Sequence, residues 1–425
     1  GMQGRVFLEM VPSALMAFSA APHAGAGLFM HPAPRCRAAP ARTAPGMQMQ
    51  GGEGYEASQK LGRRGFMAAL LTAAVAGSSV IGAPGGASAE DAGAKAFELV
   101  PTKDERWALG GFTENGETEL LSGLASCDVV FLGEHHNQAD DHLLQAKIVE
   151  GIAARKPGGV MIGLEMVQVQ YQNALDEYIA STLPDKEADA ALFEGVQWAT
   201  RWQWSFEGYL PLLQLARREK IPLVALNVDS ETLAKVRFGG LEMLSEAEKD
   251  VYVDDRKGFI SFSKVPGFMG YVQEVVMPSY EFHASMGLLG PNPKQANFYS
   301  SRVLWDEGMS NIALRSVEKN PGKTMVVIEG ADHVKYRLGS VGRMERMAKT
   351  RNLQNFKVKS VLLNPTAYDS LIEDSSQPLA LASAFTPAGA PQAGPAYPLA
   401  DFIWFSSVPP LSLVPAEARL RFLRN

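Results

Sequence analysis

Gly133-Glu134-His135-His136 follows the apolar run Val129-Val130-Phe131-Leu132 and precedes an amphipathic stretch that begins near Asp140. Three more apolar runs end in polar or ionisable residues: Glu165 after residues 160–164, Asn227 after 223–226, and Glu329, Gly330, Asp332 and His333 after 325–328. Side chains at i and i+2 of an extended segment project to the same side, so Glu134 and His136 are expected to face one pocket while His135 turns away. Two or three carboxylates with two histidines suffice for a general acid and base. The same donors, Glu134, His136 and His333 foremost, can instead hold a divalent metal through imidazole nitrogen and carboxylate oxygen. His142, in the first turns of the following helix, is placed to join or cap such a site.

The elements that must position these residues alternate. Strand candidates are residues 129–132, 160–164, 222–226, 325–328 and 358–363, several of them continuous apolar runs, as strands covered on both faces require. Between them, residues 139–154, 167–180, 208–218 and 301–319 repeat apolar side chains three and four apart. This predicts an α/β domain over residues 95–365: a mostly parallel sheet with crossover helices, which binds ligands at the carboxyl ends of its strands. A helical insertion at about 241–293 precedes the last core strands and is rich in Phe, Tyr and Met. It reads either as a subdomain with its own small core or as a ligand lid. Residues 375–425 read as a Pro/Ala/Gly-rich linker and tail whose apolar segment Phe402-Ile403-Trp404-Phe405 docks on the domain or on a partner.

Residues 1–89 read as a leader. Arg63-Arg64-Gly65-Phe66 leads into an apolar stretch, residues 67–82, and then Ala87-Ser88-Ala89, the layout of a twin-arginine export signal. The roughly 60 residues upstream, rich in Ala, Pro, Gly and Met with several Arg, resemble a plastid transit peptide. The two together predict the thylakoid lumen; the alternative is a bacterial periplasm. The leader holds seven Lys or Arg and three Asp or Glu, so with a net charge of −6 overall the remainder carries −10. Nucleic acid and anionic membrane are therefore poor partners. Beyond the leader only Cys127 remains, which excludes an internal disulfide or a thiolate metal site. There is no Gly-x-Ser-x-Gly elbow, no phosphate-binding Gly-x-x-x-x-Gly-Lys-Ser/Thr loop and no Gly-x-Gly-x-x-Gly after the first strand.

Seven short motifs occur in an order that resembles the ChaN-like haem-binding uptake family: Gly133-Glu134-x-His136, Asp141-His142, Leu164-Glu165-Met166, Trp202-x-Trp204 with Tyr209, Ala225-Leu226-Asn227, Trp305-Asp306-x-x-Met309, and Gly330-x-x-His333 with Gly339. The resemblance covers about residues 120–350 and extends to a superfamily with the erythromycin esterases and Tiki metalloproteases. It implies a pocket of Glu134, His136, Glu165, Asp306 and His333, and an association with haem. Two departures stand out: Asp141 where a second His is common, and Gly339-Ser340-Val341-Gly342 in place of a Gly-x-Pro turn. Haem needs an axial ligand and a flat apolar slot, and the insertion offers Tyr271, Tyr280 and His283 for the first. Three functions follow: binding of haem or a related tetrapyrrole, hydrolysis by a metal- or Glu/His-dependent site, or assembly of a lumenal photosynthetic complex around a degenerate pocket.

Overall fold

A computed structural model describes residues 96–101, 107–110, 116–285, 287, 289, 292–370, 379–385 and 396–406; the expected leader lies outside them. The strands are β1 Ala96–Pro101, β2 Trp107–Gly110, β3 Val129–Glu134, β4 Val160–Gln168, β5 Leu223–Asn227, β6 Thr324–Gly330, β7 Val358–Leu363, β8 Ala382–Ser383, β9 Tyr397–Pro398 and β10 Phe402–Trp404. Eight of them form one sheet in the order β2-β1-β10-β7-β3-β6-β4-β5, and β8 pairs with β9 apart from it. Every pairing from β10 to β5 is parallel, and only β1 runs against its neighbours. The architecture is α/β with a mostly parallel sheet.

Every residue of β3, β4 and β6 is buried, which demands cover on both faces. Alternation along β3 sends Val130 and Leu132 to one face and Val129 and Phe131 to the other. Helices α1 Gly116–Ala125, α2 Ala139–Arg155, α3 Gln172–Ala180, α4 Asp185–Gly195 and α5 Phe206–Arg218 cover the first face. The insertion carries α6 Met277–Ser285, and beyond it α7 Gln295–Lys319 and α8 Ser340–Thr350 cover the second face. Burying each such apolar side chain contributes about 1.5–3 kcal/mol. The aromatic residues of the insertion, Phe259, Phe262, Phe268 and Tyr271 among them, join Phe97, Leu99, Leu362 and Ile403 in a further core.

Three boundaries depart from the sequence reading. β4 continues to Gln168, because Met166 and Val167 are buried as strand and Gln168 pairs with Asn227 after a shift in register, so the helix expected from residue 167 begins at Gln172. Glu165 therefore lies inside β4, where the pairing with β6 stops at Leu164, and not beyond the strand. Of residues 375–425, the described stretches 379–385 and 396–406 are built into the fold: Leu379, Phe385 and Leu399 are buried, and β10 enters the sheet between β7 and β1.

Candidate functional site

Glu134 is the last residue of β3 and pairs across the sheet with Gly330, the last of β6. Its Oε1 accepts from the Tyr209 hydroxyl of α5 and, at 2.7 Å, from Nδ1 of His136; its Oε2 accepts from Nε2 of Gln145 on α2. His142 stacks on Tyr209 with centroids 4.1 Å apart and brings Nε2 to 3.7 Å from Oε2. The stack depends on Gly208, where a Cβ would lie 2.7 Å from the His142 ring. Burial opposes the charge on Glu134, yet the hydrogen bond and charge of His136, with His142 and Gln145, hold its carboxyl below the usual range. The His136 ring lies between Trp204, nearly parallel at 5.7 Å, and the edge of Trp202 at 5.1 Å.

A second group meets the first at Gly330. The Gly330 N–H donates to Glu165 Oε2 at 2.6 Å, and a Cβ on Gly330 would lie 2.8 Å from His136 Nε2 and 3.6 Å from the His333 ring. Both imidazoles thus border one backbone position. His333 bonds Asp306 of α7 through Nδ1 and points Nε2 at Glu165 Oε1, 3.3 Å away. Arg302, one turn before Asp306, donates Nε to that carboxylate at 3.2 Å. Burial and Arg302 push His333 towards its neutral form, but Glu165 and Asp306 prevail and raise it to about 10. Burial likewise opposes charge on Glu165, and His333 and His136 bring it down to about 2. At neutral pH an imidazolium is therefore held between two carboxylates, with Glu165 Oε1 paired to His333 Nε2 at 3.3 Å. Glu329 is the opposite case: burial raises it to about 8, so it is protonated at pH 7.

His135 faces elsewhere. Its backbone N–H and Nδ1 both bond Asp141 Oδ2 at 2.8 Å, and Nε2 reaches Asp369 at 3.1 Å. Asp141, the departure from the family pattern, thus anchors His135, and its other oxygen takes Asn364 Nδ2 at 2.6 Å.

The structure brings Glu134, His136, Glu165, Asp306 and His333 together. Among the described residues no three His, Cys, Asp or Glu side chains are arranged to hold a metal ion. Of the metal set Glu134, His136 and His333, both Glu134 oxygens are engaged by Tyr209, His136 and Gln145, and each imidazole is oriented by a carboxylate at Nδ1. The three insertion residues have different surroundings. Tyr271 is buried and donates its hydroxyl to the Asp332 carbonyl at 2.7 Å. Tyr280 and His283, on α6, are half-buried against Phe298. Gln145 and Arg302 were not singled out from the sequence; the signal was spacing, since Gln145 is three residues beyond His142 and Arg302 four before Asp306, on the same helix faces.

A mostly parallel α/β sheet whose strand ends gather Glu and His against helical residues defines the class of protein. Residues 120–344, more than half of the chain, match the family described as haem-binding uptake, Tiki superfamily, ChaN, and the chain belongs to that family. Protein RETICULATA-RELATED 5, chloroplastic, of Arabidopsis thaliana is 26% identical over 299 residues, 68% of this chain and 35% of that one. The chain thus spans about a third of that relative's length. A solved structure of ChaN of Campylobacter jejuni, with cofacial haem binding, is 13% identical over 73% of this chain and 96% of its own, with a TM-score of 0.44. An erythromycin esterase is 14% identical over 59% and 74%, with a TM-score of 0.33.

Proposed function

We propose that this chain binds haem or a related tetrapyrrole in the plastid, and that His283 would hold its metal. The observation that carries the reading is the orientation of that imidazole. His283 Nδ1 lies 2.7 Å from the carbonyl of Ser279, one turn back on the same helix, which fixes the ring against Phe298. A ring oriented in this way by a backbone carbonyl is the usual arrangement of a metal-binding histidine. Phe298 and Tyr280 beside it offer the apolar and aromatic surroundings that a macrocycle needs. A bound iron tetrapyrrole supplies redox or ligand-binding chemistry at its metal; the chain's part is to hold and orient it. Membership of a haem-binding family supports the ligand, and the chloroplastic relative supports the plastid. The paired arginines ahead of an apolar stretch favour the lumen within it. Titration of the protein with haemin should give a saturable Soret shift that His283→Ala abolishes and Tyr271→Phe leaves intact. A flat titration overturns the reading, and a shift insensitive to His283→Ala overturns the ligand. A fluorescent fusion outside plastids would overturn the location.

A second reading rests on the meeting of His136 and His333 at Gly330. Here Glu165 Oε1 takes a proton from a water and His136 donates to the leaving group, in hydrolysis of an ester or amide. Turnover of an ester and amide panel that falls in Glu165→Gln supports it; no turnover by the intact chain dismisses it.

A further inference from the structure

Phe298, Arg302 and Trp305 are spaced i, i+4 and i+7 along α7 and so share one face of it. At one end Phe298 touches the His283 and Tyr280 rings, at 6.0 and 5.4 Å between centroids. At the other, Trp305 lies edge-on to His333 at 5.2 Å. The face links His283 to the strand-end cluster over roughly 10 Å, at 1.5 Å of rise per residue.

Along this face two buried donors have no acceptor among the described residues. Arg302 gives Nε to Asp306, but its Nη2 is buried without a hydrogen-bond partner among the described residues, and so is the indole Nε1 of Trp305. Buried donors are rarely left in this state, because each loses its water without compensation. Guanidinium and indole nitrogens can only donate, so whatever completes them must bring acceptor oxygens. One turn apart on one face, the two are neighbours, and two oxygens of one carboxylate serve both. Among the nearby acids, Asp306 is engaged by Arg302 Nε and His333, Glu165 Oε2 by the Gly330 N–H, and Glu165 Oε1 by His333 Nε2 at 3.3 Å.

We propose that Arg302 and Trp305 receive a carboxylate of the bound ligand, so that the chain selects tetrapyrroles with free acid side chains over esterified ones. The inference rests on the tetrapyrrole reading above and names its substrate class. Haemin, a free diacid, and haemin dimethyl ester differ only at the carboxylates, which makes them the probes. The full chain should bind haemin at least about tenfold more tightly than the ester, the difference expected when one charge-assisted contact is lost. Arg302→Gln and, as a milder change, Trp305→Phe should each weaken haemin binding towards the ester's affinity and leave the ester's affinity unchanged, with far-UV circular dichroism reporting an intact fold. Equal binding of the two probes to the intact chain overturns the inference and leaves the tetrapyrrole reading standing; so does a preference for haemin that survives both substitutions. Absence of haemin binding overturns both.

Discussion

Glu134 and His136 are hydrogen-bonded to each other over 2.7 Å at the end of one strand, while the residue between them is bonded to Asp141. The bond is possible because an extended chain returns every second side chain to the same side. Its strength depends on what else reaches the carboxylate. Tyr209 supplies a second donor to the same oxygen. Tyr209→Phe keeps the ring against His142 but removes that donor from a buried charge, at a cost of about 1.5–3 kcal/mol. Urea unfolding at pH 7 measures it, and a change within a few tenths of a kcal/mol would refute the contact.

Gly330 is where the two groups meet. Its backbone, at φ −60° and ψ 143°, suits any residue, so the glycine is there for space and not for conformation. Gly330→Ala places a methyl 2.8 Å from His136 Nε2. The expected outcome is a folded protein, destabilised by about 1–3 kcal/mol through overpacking, with the His136 ring displaced from Glu134. Imidazole NMR should then show the His136 pKa, now raised by Glu165 and Glu134 against the effect of burial, moving down towards its ordinary value. An unmoved resonance would contradict this geometry.

Glu329 adds a pH dependence with a definite sign. Its folded value of about 8 is above the ordinary 4.5, so above pH 4.5 the unfolded chain releases a proton that the folded chain retains. Stability is lost from about pH 4.5 to about 8 and then levels. Glu329→Gln mimics the protonated acid at every pH. Its stability should match the parent below pH 4.5 and exceed it by on the order of a few kcal/mol at pH 8. Thermal melts across that range decide the matter, and parallel curves would exclude a protonated Glu329.

The central strands were legible because burial on both faces leaves an unbroken apolar run, as in Val129-Val130-Phe131-Leu132. β1, β2 and β10 were not. They are strands because the two ends of the domain pair with each other, which no local pattern announces. The five strand-end and helix residues of the site were visible as polar groups ending apolar runs or through family order. What sequence could not supply was the partner of each nitrogen and oxygen. For Glu134 the structure shows both oxygens already engaged, and for Tyr271 a hydroxyl bonded to the Asp332 carbonyl.

Asp401 couples the last strand to the site. Its carboxylate accepts the Ser360 N–H and hydroxyl, both at 2.8 Å, takes Lys359 Nζ at 3.1 Å, and binds Arg337. Arg337 and Tyr336 both have positive φ, 59° and 62°, a conformation that costs non-glycine residues energy and persists only where contacts enforce it. Tyr336 is enforced by the bond from its N–H to the Leu399 carbonyl at 2.9 Å, and Arg337 by Asp401. This turn directly follows His333. Asp401→Asn removes the charge that binds Arg337 and Lys359, and should cost about 1–3 kcal/mol. Because the lost contacts hold β10 and the turn together, amide hydrogen exchange should accelerate at Trp404 and Leu338 in the same variant while Phe131 in β3 keeps its protection. Faster exchange at Trp404 alone would show that the last strand is anchored independently of the turn that carries His333.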